Sequence, residues 1–125
     1  TLHFIGQMPR GRLQELITAS AVPARPVQLS FDRIALWSRG LVVLTASHRP
    51  AELLDLHAAL SERLVRLGLP VDARPYHPHI TLARSAGGSA SFWMRARAPS
   101  EVEWLAKGHV LVESAGGRYH VLARY

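Results

Sequence analysis

Hydrophobic and polar positions change period several times along the chain, and each change marks an element. Thr1, His3 and Ile5 fall on one side of a two-residue repeat, Leu2 and Phe4 on the other, and the run stops at Gly6. That pattern predicts a short opening strand. Pro9 then suits a helix start, and Leu13, Leu16, Ile17 and Ala21 recur at helical spacing up to the Pro23 to Pro26 connector. Val27, Leu29 and Phe31 alternate on one face, but Ile34 and Leu36 continue on the opposite parity, which predicts a bulge near Asp32 or Arg33. Ser38-Arg39-Gly40 reads as the turn of a hairpin whose second strand is the apolar run Leu41 to Thr45.

The clearest helix spans Ala51 to Leu67, where Leu53, His57, Leu60, Leu64 and Leu67 form one stripe between Pro50 and Gly68. Strand signals resume at His79 to Ala83. After a Gly/Ser-rich loop around Gly87 and Gly88, Val110 to Val112 and Tyr119 to Leu122 flank Gly116-Gly117 as a closing hairpin. The predicted order, β-α-β-β-α-β-β-β, describes an α+β domain with helices packed outside mostly antiparallel sheets.

Composition narrows the class. The 125 residues are expected to form one domain, and 48% apolar content is enough for a core. There is no Cys, so disulfides, zinc-thiolate sites and thiol nucleophiles are excluded. No apolar run approaches the roughly 20 residues that span a bilayer, and no signal peptide is expected. The formal charge is +6, and fourteen of the fifteen cations are Arg, scattered rather than clustered. Such a balance fits either a solvated surface or a phosphate-bearing partner, which Arg can grip with its planar fork.

Candidate chemistry concentrates in Pro75-Tyr76-His77-Pro78-His79-Ile80-Thr81-Leu82-Ala83-Arg84. Pro78 forces His77 into an extended conformation, so strand geometry is established before His79. On a strand His79 and Thr81 share one face, while Ile80 and Leu82 share the other and should anchor it in the core. An imidazole beside a hydroxyl can transfer a proton and hold a phosphoryl oxygen. A merely wet strand face would need no chemistry, but the rigid Pro, the nearby Arg84 and the scarcity of Thr argue for more. Two of the four Thr residues open Thr-Leu dipeptides, at Thr1 and Thr81.

The sequence resembles the RNA 2',3'-cyclic phosphodiesterases, formerly called 2'-5' RNA ligases, of the two-histidine (2H) phosphoesterase superfamily. Members carry two His-x-Thr-x motifs, the first within a phrase such as His-Leu-Thr-Leu-x-Phe-Leu-Gly. Thr1-Leu2-His3-Phe4-Ile5-Gly6 matches that phrase from its Thr onward, and Pro75 to Arg84 matches the second phrase almost throughout. The resemblance implies an α+β fold of two pseudo-symmetric lobes, mostly antiparallel, with a central groove carrying the motifs. It implies metal-independent hydrolysis of a terminal 2',3'-cyclic phosphate on RNA to a 2'-phosphate, in the cytoplasm and without a cofactor. His79 would be the proton acceptor, Thr1 and Thr81 would hold phosphate oxygens, and Arg84, Tyr76 and Phe4 are candidate substrate contacts. For Phe4, core packing is the favoured role over base stacking.

The family's first catalytic His would stand two residues before Thr1, outside this sequence, together with a strand and helix that precede it. His3 does not replace it, because it lies about 13 Å further along the expected strand. The 125 residues therefore read as a domain lacking its first motif His, impaired in turnover, and expected to present an unpaired sheet edge or exposed apolar patch. Three other readings compete. His77 and His79 offer paired imidazoles, but zinc needs at least three protein ligands and no third is spaced to join them. A non-catalytic RNA-binding module, or a phosphodiesterase acting on another cyclic phosphodiester, would fit the basic charge as well. Trp37 is expected to be buried and His57 to be a core or boundary residue; His48, His109 and His120 show no partner pattern.

Overall fold

The computed structural model describes residues 1–84 and 101–125. They fall into two compact units, one made of Thr1 with residues 28–50 and 77–105, the other of residues 2–27, 51–76 and 106–125. The loop expected around Gly87 and Gly88 lies outside the described residues.

In the first unit, strand β1 (Val27–Phe31) pairs with β5 (Val102–Ala106), a strand absent from the predicted order. A second sheet has the order β2 (Arg33–Trp37), β3 (Leu41–Thr45), β4 (His79–Ala83), antiparallel throughout. The parity change at Asp32 is not a bulge. β1 and β2 belong to different sheets, and Asp32 is the crossing point. Its carboxylate accepts the Ser47 backbone N–H at 2.9 Å and the Ser47 hydroxyl at 2.5 Å, while its own N–H donates to the Thr45 carbonyl at 3.1 Å. A polar residue that satisfies itself this way fits between two half-buried strands, where an apolar one would continue the ladder. Between β2 and β3, Arg39 takes φ 62°, a conformation uncommon for a long side chain, next to Gly40 at φ 68°.

Val42, Val43 and Leu44 are all buried, so the middle strand is covered on both faces. Register pairs Thr45 with His79, Leu44 with Ile80, Val43 with Thr81 and Val42 with Ala83. Leu82 is thus an extra residue, and the bulge sits immediately after the His-x-Thr pair. Ile80 and Leu82, expected to anchor β4 in the core, are 41% and 45% exposed. β4 is the end strand of its sheet among the described residues, and the bulge lifts Leu82 out of the ladder.

The second unit packs two helices on a hairpin. A single 3-10 turn (Arg10–Arg12) follows Pro9 and leads into α1 (Leu13–Ser20). Helix α2 (Ala51–Arg66) ends in a Schellman motif: Gly68 adopts φ 70°, its N–H donates to the Val65 carbonyl at 2.8 Å, and Leu69 N–H reaches the Leu64 carbonyl at 3.0 Å. Its buried stripe is Leu53, Leu56, Leu60 and Leu64, with Leu56 taking the place expected for His57. Strands β6 (Val110–Ala115) and β7 (Arg118–Arg124) are joined by Gly116 and Gly117 at φ 58° and 74°, as a tight I′-type hairpin turn requires. Leu16 of α1, Leu64 of α2 and Leu111 of β6 form one buried cluster, and Val22, Leu56 and Leu60 form another.

The predicted opening strand is not formed; residues 1–9 contain no strand. Ile5 packs against the first cluster and Leu2 against the second, while Phe4 is 87% exposed. Two inward positions three residues apart cannot share one face of a strand, so packing on the helices overrides the alternation, and the core role weighed for Phe4 is not realised.

Candidate active site

The predicted chemistry divides between the two units. Thr1, His79, Thr81 and Arg84 belong to the first, Phe4 and Tyr76 to the second. His79 opens β4 and is half-buried, whereas Thr81 and Arg84 are exposed. In register, Thr45 and His79 form one cross-strand pair and Val43 and Thr81 the next but one, so His79 and Thr81 do share a sheet face. The bulge begins only beyond Thr81 and redirects the strand toward Arg84, which has no hydrogen-bond or ionic partner among the described residues.

His79 Nδ1 lies 2.8 Å from the His77 carbonyl oxygen. A carbonyl can only accept, so Nδ1 carries a proton, and in a neutral ring Nε2 then holds the lone pair. Pro78 fixes this geometry, since it locks the backbone between the two histidines, and Pro78 itself is buried. Nε2 has no partner among the described residues. A neutral imidazole with a fixed Nδ1–H and a free Nε2 is equipped to accept a proton, and the Thr81 hydroxyl two residues on can donate to an oxyanion.

Trp37, expected to be a plain core residue, is half-buried and lies against the His79 ring, with centroids 4.6 Å apart and planes inclined at 56°. Register aligns His79 with Arg33 through Thr45, so its contact with Trp37 runs diagonally over a shared sheet face, and a sequence offers no spacing signal for it. The His77 carbonyl was likewise invisible to motif reasoning, because it is backbone.

Tyr76 belongs to the second unit. There its ring stacks on His57 at 4.4 Å and 14°, and His57 stacks on His3 at 4.2 Å and 22°. His3 Nε2 is 3.1 Å from the His57 carbonyl and 3.3 Å from the Ser61 hydroxyl. Burial, and next the neighbouring His3, push the His57 imidazole below its ordinary 6.5, against a weaker upward pull from Asp72. Asp72 itself is held at about 2 by hydrogen bonds from Arg74. Burial also raises the Tyr76 phenol. His57 is therefore a boundary residue in a ring column and not a member of the buried stripe on which the sequence pattern places it. No cluster of three or more metal-ligating side chains occurs among the described residues. No helix among them is long and apolar enough to cross a membrane.

Residues 1–118 match the sequence profile described as the 2'-5' RNA ligase superfamily. The chain is 33% identical over 98 residues to an RNA 2',3'-cyclic phosphodiesterase of Geobacillus stearothermophilus, a match covering 74% of this chain and 31% of that protein. It is 32% identical over 88 residues to the RNA 2',3'-cyclic phosphodiesterase of Escherichia coli K12, covering 69% of this chain and 50% of the relative. The chain thus spans between about a third and a half of these curated relatives. The crystal structure of E. coli LigT complexed with 3'-AMP superposes with a TM-score of 0.76 at 25% identity, covering 100% of this chain and 74% of that one. The antiparallel α+β architecture is the fold of those two-histidine phosphoesterase structures.

Proposed function

We propose that this chain, which belongs to the 2'-5' RNA ligase superfamily, contributes the proton-accepting half of a site that opens terminal 2',3'-cyclic phosphates on RNA. The observation that carries this reading is the 2.8 Å contact between His79 Nδ1 and the His77 carbonyl. Its Nδ1–H is committed to the His77 carbonyl, so the Nε2 lone pair is the one available to a water molecule. As that water attacks phosphorus, its proton passes to His79. The P–O3' bond breaks, and the 3'-oxygen takes a proton from a donor on the opposite side. The product is a 3'-hydroxyl and a 2'-phosphate. Thr81, and Thr1 as its counterpart, would hold the non-bridging oxygens, whose charge grows in the transition state, and Arg84 would add a cationic contact. Phe4 exposes a ring on which a base can stack; Tyr76 already spends one face on His57.

No step in this scheme requires a metal, because two imidazoles can carry both protons. The donor by family resemblance is the residue two positions before Thr1. The 125 residues alone should therefore turn over more slowly, by about 10² to 10⁴, than protein that includes it. The test is hydrolysis of 2',3'-cyclic nucleotides and of RNA ending in the cyclic phosphate, with products separated as 2'- and 3'-phosphates. A 2'-phosphate product, formed at the same rate with chelator present, is expected from the full-length protein. Salt-sensitive RNA binding without hydrolysis would assign the chain instead to a non-catalytic binding role.

A further inference from the structure

Trp37 and His79 stand on the two outer strands of the β2-β3-β4 sheet. Register places them on one face with Ala35, Val43 and Thr81, since directly paired residues of antiparallel strands point the same way. Their rings meet at 4.6 Å across the middle strand. Among the described residues, the only hydrogen bond fixing the His79 ring runs to the carbonyl of His77, an exposed residue, where water competes for the same oxygen. One such bond holds a ring weakly. An imidazole rotated half a turn about its Cβ–Cγ bond would break that bond and present a carbon where Nδ1 had been. The bulky indole on one side of the ring is a second point of support, and it removes part of the ring from water.

We infer that Trp37 is a positioning residue for His79: its indole holds the imidazole in the orientation that keeps Nδ1–H on the His77 carbonyl and the Nε2 lone pair open to the reacting water. The inference rests on the proposed reading of His79 as proton acceptor, but the orientation itself can be observed without turnover. Trp37 touches neither substrate nor reacting atoms in this scheme. Its effect is expected in the protonation pattern of His79 and in kcat rather than in binding.

The experiment uses full-length protein labelled with 15N in its histidines, as wild type, Trp37→Leu and Trp37→Phe. Long-range proton–nitrogen correlations report which nitrogen of His79 carries the proton. Wild type and Trp37→Phe should show Nδ1–H, and Trp37→Leu a mixture of both tautomers. In parallel, Trp37→Leu should lower kcat by about tenfold or more with KM changed less than about twofold, and Trp37→Phe should recover kcat to within about threefold. A Trp37→Leu protein with wild-type tautomer and wild-type kcat overturns the inference. Should Trp37→Leu fail to fold, Trp37→Met replaces it with the same criteria. If wild type does not hydrolyse the cyclic phosphate, the functional reading fails while the nitrogen spectra still decide the positioning role. Hydrolysis by wild type with an unmoved tautomer in Trp37→Leu sinks the positioning role alone.

Discussion

Two histidine sites in this chain use the same contacts to opposite ends. On β4, His79 gives one nitrogen to a backbone carbonyl, meets one aromatic ring and leaves the other nitrogen without a partner among the described residues. On α2, His57 is covered on both faces, by His3 and by Tyr76, and His3 spends its Nε2 on the His57 carbonyl and Ser61. Each ring is held, but His79 is held by a backbone hydrogen bond at Nδ1 and one ring contact, whereas His57 is held by rings on both faces. A histidine's role is decided less by how firmly it is fixed than by what the fixing leaves undone.

The comparison breaks most sharply if His79 is removed. His79→Ala in the full-length protein should lower cyclic-phosphate hydrolysis by about 10² to 10⁴, with the circular dichroism spectrum unchanged. Retained rate would mean that the free Nε2 is idle. His57→Ala, by contrast, should leave kcat within about threefold, because its ring packs between His3 and Tyr76 and has no part in the proposed proton transfer.

The second unit should instead respond to damage in its packing. Leu64 is 3% exposed between α1, α2 and β6. Leu64→Ala is expected to cost about 2–5 kcal/mol in urea unfolding. A loss below about 0.5 kcal/mol would show that the cluster does not hold the unit together. Thr81→Val comes next in size. The hydroxyl it deletes would meet a charged phosphate oxygen, so kcat should fall by about 10- to 100-fold, matching the strength of a charge-assisted hydrogen bond. Unchanged kinetics would detach Thr81 from the site.

The smallest effect concerns pH. Because the folded His57 imidazole is pushed below its ordinary 6.5, the unfolded chain binds more protons near that pH. The contribution to stability is fully present above about 6.5 and is lost as pH falls through the lower, folded value. His57→Phe keeps an aromatic ring in the column and should flatten this part of the stability profile. Midpoints of urea unfolding compared at pH 7.5 and 5.5 measure it, and an equal slope in the variant would place the titration elsewhere.

Much of the fold was legible in the sequence, for local reasons. The Gly116-Gly117 hairpin and the Gly68 end of α2 were readable because left-handed backbone selects glycine, and the α2 stripe was readable because helical spacing is rigid. The errors fell where a distant partner decides. Residues 1–6 alternate like a strand, yet Leu2 and Ile5 turn inward together onto the helices. The parity slip at Asp32 predicts a bulge, but a strand changing sheets shifts parity in the same way, and β5 was missed because Val102 to Ala106 shows no clean alternation.

Sequence alone determined that His79 and Thr81 would point the same way, that Pro78 would stiffen the approach to them, and which family motif they complete. These follow from the two-residue pleat and the proline ring, which act over a few bonds. Tertiary structure alone decided that a bulge ends the motif at Leu82, that Trp37 lies on His79, and that Tyr76 stacks on His57. Each of those depends on register or packing between segments far apart in the chain, and no local preference encodes where a remote partner will stand.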